Sequence, residues 1–109
     1  MRVGVPQEIK ESEFRVGLTP SSVVELAAAG HEVIVETGAG AGSGLSDAEY
    51  ETAGARIVAS AGDVFGSAEL IVKVKEPQSA ERRMLRSGQV LFTYLHLAPD
   101  PEQTKDLVN

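Results

Sequence analysis

The stretch "EVIVETGAGAGSGLSDAEYETAG" (32–54) contains an apolar run, a glycine-rich loop and a helix signal in that order. Val33, Ile34 and Val35 form a short β-branched run with no alternation, the pattern of a strand covered on both faces. Ser46 and Glu49 are spaced as a capping box, and Gly54 supplies the helix stop. Strand, glycine loop and helix together are the layout of a dinucleotide cradle, and that expectation can be tested on spacing. The fingerprint G-x-G-x-x-G needs a third glycine for close helix–strand packing. Counting from Gly38, that position is Ser43; from Gly40 it is Leu45, and from Gly42 it is Asp47. The acid that should grip a ribose about 20 residues on is missing as well, because "RIVA" (56–59) runs into Ser60. The loop therefore reads as a tight connection and not as a cofactor site.

Outward from this stretch the same grammar repeats. Short valine- and isoleucine-rich runs occur at "RVGV" (2–5), "RIVA" (56–59), "LIVKV" (70–74) and "QVLFTYL" (89–95). Helix signals lie between them. Thr19, Pro20 and Gly30 bracket "TPSSVVELAAAG" as N-cap, first position and stop. Weaker helices are expected over 60–66 and 78–86, and Asp100-Pro101 opens a last one. Strands alternating with helices predict an α/β fold: a doubly wound, mainly parallel sheet of about five strands with helices on both faces. His31, just past Gly30, reads as a C-terminal cap or surface residue.

Composition narrows the function classes. The chain has 109 residues, 42% of them hydrophobic and 24% charged, which suits one globular domain with a buried core. The absence of cysteine excludes disulfides and metal–thiolate sites, and no metal site is expected. A formal net charge of −6 and five scattered aromatic residues argue against nucleic-acid binding. No apolar run approaches the roughly 18 residues of a membrane helix, and "MRVGVPQEIK" has no signal-peptide core. A cytoplasmic protein is the expectation. The last helix would start near residue 101 and the sequence stops at Asn109, so the chain reads as cut short within a larger protein.

In a doubly wound sheet, ligands bind beyond the carboxyl ends of the strands, where the strand order reverses. The segment after the first run holds Lys10 and Arg15; the fourth run leads to Lys75 in "KVKEP", and the fifth to Tyr94 and His96 in "TYLHLAPDP". With a strand order of 3-2-1-4-5, Arg15, Lys75 and His96 converge on one crevice. An arginine can grip a small carboxylate bidentately, a lysine can polarise a carbonyl, and a histidine can move protons near neutral pH. Each residue alone has a plainer reading as a solvated cation or a structural hydrogen-bonder. Lys73 and Lys75 lie two apart, on the same side of an extended segment. One of them need only reach solvent, and Lys75 is the better placed at the rim.

"MRVGVPQEIKESEFRVGLTP", "GHEVIVETGAGAGSG", "LIVKVKEP" and "LFTYLHLAPD" closely resemble the N-terminal domain shared by alanine dehydrogenase and the α subunit of proton-translocating NAD(P) transhydrogenase. The resemblance runs in register over essentially the whole chain and implies a Rossmann-like substrate domain over 1–109. The NAD-binding domain, with a further catalytic aspartate, and the C-terminal segment that completes the substrate domain would lie outside this sequence. The transhydrogenase branch usually lacks the second lysine and the histidine; this chain has both, which sides with the dehydrogenase. The resemblance then implies reversible oxidative deamination of L-alanine to pyruvate and ammonia with NAD. Arg15 would hold the substrate carboxylate, and Lys75 would bind and polarise the substrate carbonyl or carboxyl oxygen. His96 would act as general acid/base, and Tyr94 would line the pocket. It also implies a homohexamer, and a chain that cannot turn over alone. The competing expectations are a transhydrogenase α-subunit domain and a non-catalytic small-carboxylate-binding domain.

Overall fold

The computed structural model describes residues 1–9, 15–75 and 77–93. Five strands form one sheet: β1 (Arg2–Val5), β2 (Glu32–Glu36), β3 (Arg56–Val58), β4 (Leu70–Val72) and β5 (Val90–Phe92). Their order is β3-β2-β1-β4-β5 and every pairing is parallel. All five carboxyl ends therefore lie along one edge. The helices are α1 (Pro20–Ala28), α2 (Asp47–Ala53), α3 (Ala61–Ser67) and α4 (Ser79–Arg82), with one 3-10 turn at Ala41–Ser43.

The predicted caps form as the sequence indicated. The Thr19 side chain accepts from Ser22 N, with Pro20 at the first helical position. Ser46 and Glu49 close a reciprocal capping box on α2, and Gly54 ends it. His31 begins a fresh segment after α1 and donates its backbone N–H to Leu26 O at 3.1 Å.

Parity along the strands sends alternate residues to two separate cores. Val3, Val5, Val33, Val35 and Val72 pack with Val23 of α1 and Tyr50 of α2. Ile34 and Ile71 pack with Val64, Phe65 and Ala68 from the α3 side. Helices thus cover both faces, and the strands need no polar face. Gly4 faces the α3 side, where an added Cβ would sit 2.6 Å from Ala68 Cβ and 2.7 Å from Val64 Cγ1. The glycine in "RVGV" is there because α3 comes that close.

Four expected elements are shorter than the sequence suggested, β3 among them, which stops at Val58. β4 stops at Val72 and β5 at Phe92, although pairing continues through Lys73 N–H to Phe92 O at 3.0 Å. α4 covers four residues. The chain beyond it turns back on α3: Arg86 and Gln89 side chains donate to the carbonyls of Phe65 and Ala68 at 2.7–3.1 Å. Those donors satisfy carbonyls that end α3 without an intrahelical partner. The helix expected from residue 101 lies outside the described residues.

Candidate active site at the carboxyl edge of the sheet

The strand order reverses between β1 and β4, the place where ligands bind in open parallel sheets. Two segments meet there. One follows β1 and carries Arg15; the other follows β4 and carries Lys75.

Close contact fixes the first segment. An added Cβ on Gly17 would lie 2.4 Å from Val72 O, so the backbone at 17 lies directly against the end of β4. One residue on, Leu18 O accepts from the buried Tyr50 hydroxyl at 2.6 Å. Burial and the neighbouring Glu49 charge push that hydroxyl above the ordinary tyrosine range, so it stays a neutral donor. Arg15, two residues before Gly17, is exposed at the edge.

The second segment is held by a buried carboxylate. Lys73 Nζ lies 2.9 Å from Glu8 Oε1 and 2.9 Å from Glu81 Oε2, and all three side chains are at most 2% exposed. The approach to Glu81 Oε2 makes Lys73 the shared cation of two buried carboxylates. The other Glu81 oxygen accepts from Gln78 N at 2.9 Å. Glu8 also accepts from the backbone: Val74 N at 2.9 Å on Oε2 and Lys75 N at 3.2 Å on Oε1. Burial raises the Glu81 carboxyl above the usual carboxylate range, and this outweighs the pull of Lys73.

The two lysines two residues apart thus part company. Lys73 does not reach solvent; it is the cation of a buried cluster. Lys75 is half-buried, with its N–H on Glu8 and its carbonyl accepting from Thr93 Oγ1 at 2.9 Å. Tyr94 and His96 follow Thr93 in the chain and lie outside the described residues. Sequence reasoning missed Glu8 and Glu81. The available signal was Lys73 itself, two residues beyond buried Ile71 and so continuing an apolar face, where a charge needs a partner.

The glycine loop does not fit a dinucleotide. The N–H groups of Thr37, Ala39, Ala41, Ser43, Gly44 and Leu45 all donate to backbone carbonyls, and Gly38 N–H donates to Asp47 Oδ1 at 2.9 Å. These amides are spent on closing the turn, and the carboxylate at its mouth would repel a phosphate. Among the described residues no group of three or more His, Asp or Glu side chains could hold a metal, and no helix is long and apolar enough to cross a membrane.

Comparison with known proteins places the fold and the family. The alanine dehydrogenase of Methanococcus maripaludis is 53% identical over all 109 residues, which span 29% of that protein. A solved L-alanine dehydrogenase superposes with a TM-score of 0.95 at 55% identity, covering 98% of this chain and 29% of that one. A transhydrogenase from Sinorhizobium meliloti superposes with a TM-score of 0.90 at 36% identity, covering 98% of this chain and 32% of its own. The chain is therefore under a third of the length of the relatives it matches. The family described as alanine dehydrogenase/PNT, N-terminal domain, matches residues 4–109, and the chain belongs to that family.

Proposed function

We propose that this domain is the substrate-binding part of an NAD-dependent L-alanine dehydrogenase, which converts L-alanine, NAD and water to pyruvate, ammonium, NADH and a proton. The observation that supports this reading most is the meeting of the Arg15 segment and the Lys75 segment where the sheet order reverses. Two fixed cations at such an edge suit a 2-oxo or 2-amino carboxylate. The Arg15 guanidinium binds the substrate carboxylate as a fork. The Lys75 ammonium donates to the carbonyl oxygen of pyruvate and draws electron density toward it. His96 moves protons as the imine forms and hydrolyses, and Tyr94 lines the pocket. NAD is held by another part of the full-length protein, since the glycine loop of this chain does not fit it. The higher identity to the solved L-alanine dehydrogenase, 55% against 36% for the transhydrogenase, supports the dehydrogenase branch. A cytoplasmic homohexamer is the assembly we expect for the full-length enzyme.

Absorbance of NADH tests the proposal. The full-length enzyme carrying this sequence forms NADH with L-alanine, and Lys75→Ala or His96→Ala abolishes that activity while the fold survives. The 109-residue chain alone forms none. Near-normal rates in either variant refute the assigned roles, and turnover by the chain alone refutes the division of labour.

A further inference from the structure

The buried cluster at the reversal point carries more than fold stability. Three charged side chains at most 2% exposed are an expensive arrangement, and its geometry is directed at one short segment. The Glu8 carboxylate makes three close contacts of 2.9–3.2 Å, and all three go to consecutive residues: the Lys73 ammonium, the Val74 amide and the Lys75 amide. On the far side of the same segment, Thr93 Oγ1 donates to the Lys75 carbonyl. Both backbone groups of Lys75 are therefore held, one by a buried anion and one by a hydroxyl. The ionic contacts go to Lys73, two residues before Lys75, and the Lys75 side chain itself is half-buried.

We infer that Glu8 is a positioning residue for Lys75: its carboxylate, neutralised by Lys73, fixes the 73–75 backbone so that the Lys75 ammonium meets the substrate oxygen at one angle and depth. The inference rests on the reading of Lys75 as a substrate contact. Gln7, next to Glu8, donates its N–H to Glu36 Oε1 at 2.9 Å at the end of β2. The chain leaving β1 is thereby tied to both neighbouring strands before it continues toward Arg15. Lys73 matters here as the counter-ion that offsets the cost of burying the Glu8 carboxylate. Glu8→Gln turns an amide NH2 toward donors and weakens the grip without emptying the space.

The test is kinetic, in the full-length enzyme with pyruvate, ammonium and NADH. E8Q is expected to lower kcat/KM for pyruvate at least about tenfold, toward the ~100-fold that a misplacement of about 1 Å can cost. Binding of NADH, followed by fluorescence, should stay at the wild-type value. In the K75A background, where turnover is lost, E8Q should leave the pyruvate Kd of the NADH complex unchanged, because Glu8 acts through Lys75. A weaker pyruvate Kd in E8Q/K75A than in K75A overturns the inference, as does a folded E8Q enzyme with wild-type pyruvate kinetics. If K75A itself keeps full activity, the underlying reading of the site fails instead. Should E8Q not fold, Thr93→Val loosens Lys75 from the other side. It should lower kcat/KM for pyruvate a few-fold and leave the pyruvate Kd unchanged in the K75A background; a silent T93V in the otherwise wild-type enzyme overturns the inference.

Discussion

Two carboxylates fasten two loops along the same edge of the sheet, and they do it in opposite surroundings. Beyond β2, Asp47 accepts from Gly38 N at 2.9 Å and from Thr37 Oγ1 at 2.6 Å, at a solvated turn. Beyond β4, Glu8 accepts from Lys73, Val74 and Lys75 in a dry interior. Hydrogen bonding holds Asp47 below the usual carboxylate range, with little desolvation to oppose it. In the buried cluster, desolvation is large enough to lift Glu81 the other way. A loop closed by an exposed acid is a self-contained turn that presents nothing to a ligand. A loop closed by a buried ion cluster is held from below, as the backbone at Val74 and Lys75 is held, and the proposed function has this loop present Lys75. The glycine-rich loop is the more conspicuous in sequence, and the ionic one is the better scaffold for chemistry.

Lys73→Met is the strongest way to break this comparison. It leaves two buried carboxylates without a cation, and losing one partner of such a cluster costs about 3–5 kcal/mol, a large share of any domain's stability. Urea denaturation should show the midpoint shift. Replacing all three residues together, as Glu8→Gln, Lys73→Met and Glu81→Gln, should recover part of that loss, because no buried charge is left unpaired and each new amide keeps an acceptor oxygen for the N–H groups at 74–75 and 78. Stability recovered without pyruvate turnover would separate the folding role of the cluster from its positioning role. A K73M loss below about 1 kcal/mol would mean that water reaches these charges and the contrast with Asp47 fails.

Gly17→Ala comes next. The new Cβ would meet Val72 O at 2.4 Å, a backbone atom that cannot rotate away. Overpacking of this kind costs about 1–3 kcal/mol, and it should also move Arg15 away from Lys75 and raise the pyruvate KM. An unchanged KM in a destabilised variant would detach Arg15 from the site.

Much of this architecture was legible in the sequence, and the illegible part has a common physical cause. Short β-branched runs marked all five strands. The caps at Thr19 and Ser46 and the stop at Gly54 marked the helices, because capping is local chemistry. The failed glycine spacing already excluded a cradle at 38–45. Glu8, by contrast, meets Lys73 across 65 residues of sequence. Nothing local in "PQEIK" distinguishes a buried acid from a solvated one, and an isolated lysine after a strand reads as a surface residue. The short α4 was hidden for a related reason: the chain after it is captured by the carbonyls ending α3, a tertiary contact that overrides local helix preference.

A smaller effect concerns pH and the sign of the Glu81 shift. In the unfolded chain the carboxyl titrates near 4.5; in the fold it titrates higher. The native state therefore holds the proton more tightly, and stability falls as pH rises from about 4.5 through the raised folded value. Wild type should lose ground to Glu81→Gln across that window and run parallel to it above. Denaturation of both proteins over that pH range gives the answer. If wild type instead gains on the glutamine variant as pH rises, the attraction of Lys73 exceeds desolvation and the cluster is a stabilising ion pair.

The smallest effect is expected at Asp47, where the sign reverses. Its folded value lies below the ordinary 3.8, so its contribution is fully present above that pH and disappears as pH falls through the lowered value. Asp47→Asn keeps one carbonyl oxygen for Gly38 N–H or Thr37 Oγ1, and the group is well solvated. The loss should therefore not exceed about 1 kcal/mol at neutral pH. It should vanish in acid, where the wild-type side chain is neutral too. A loss as large as that of Lys73→Met would mean that the turn at 37–47 is part of the cooperative core, and that burial does not separate the two carboxylates. Pyruvate kinetics sharpen the same contrast: Asp47→Asn should leave them unchanged, because the turn it closes contributes no group to the proposed substrate site.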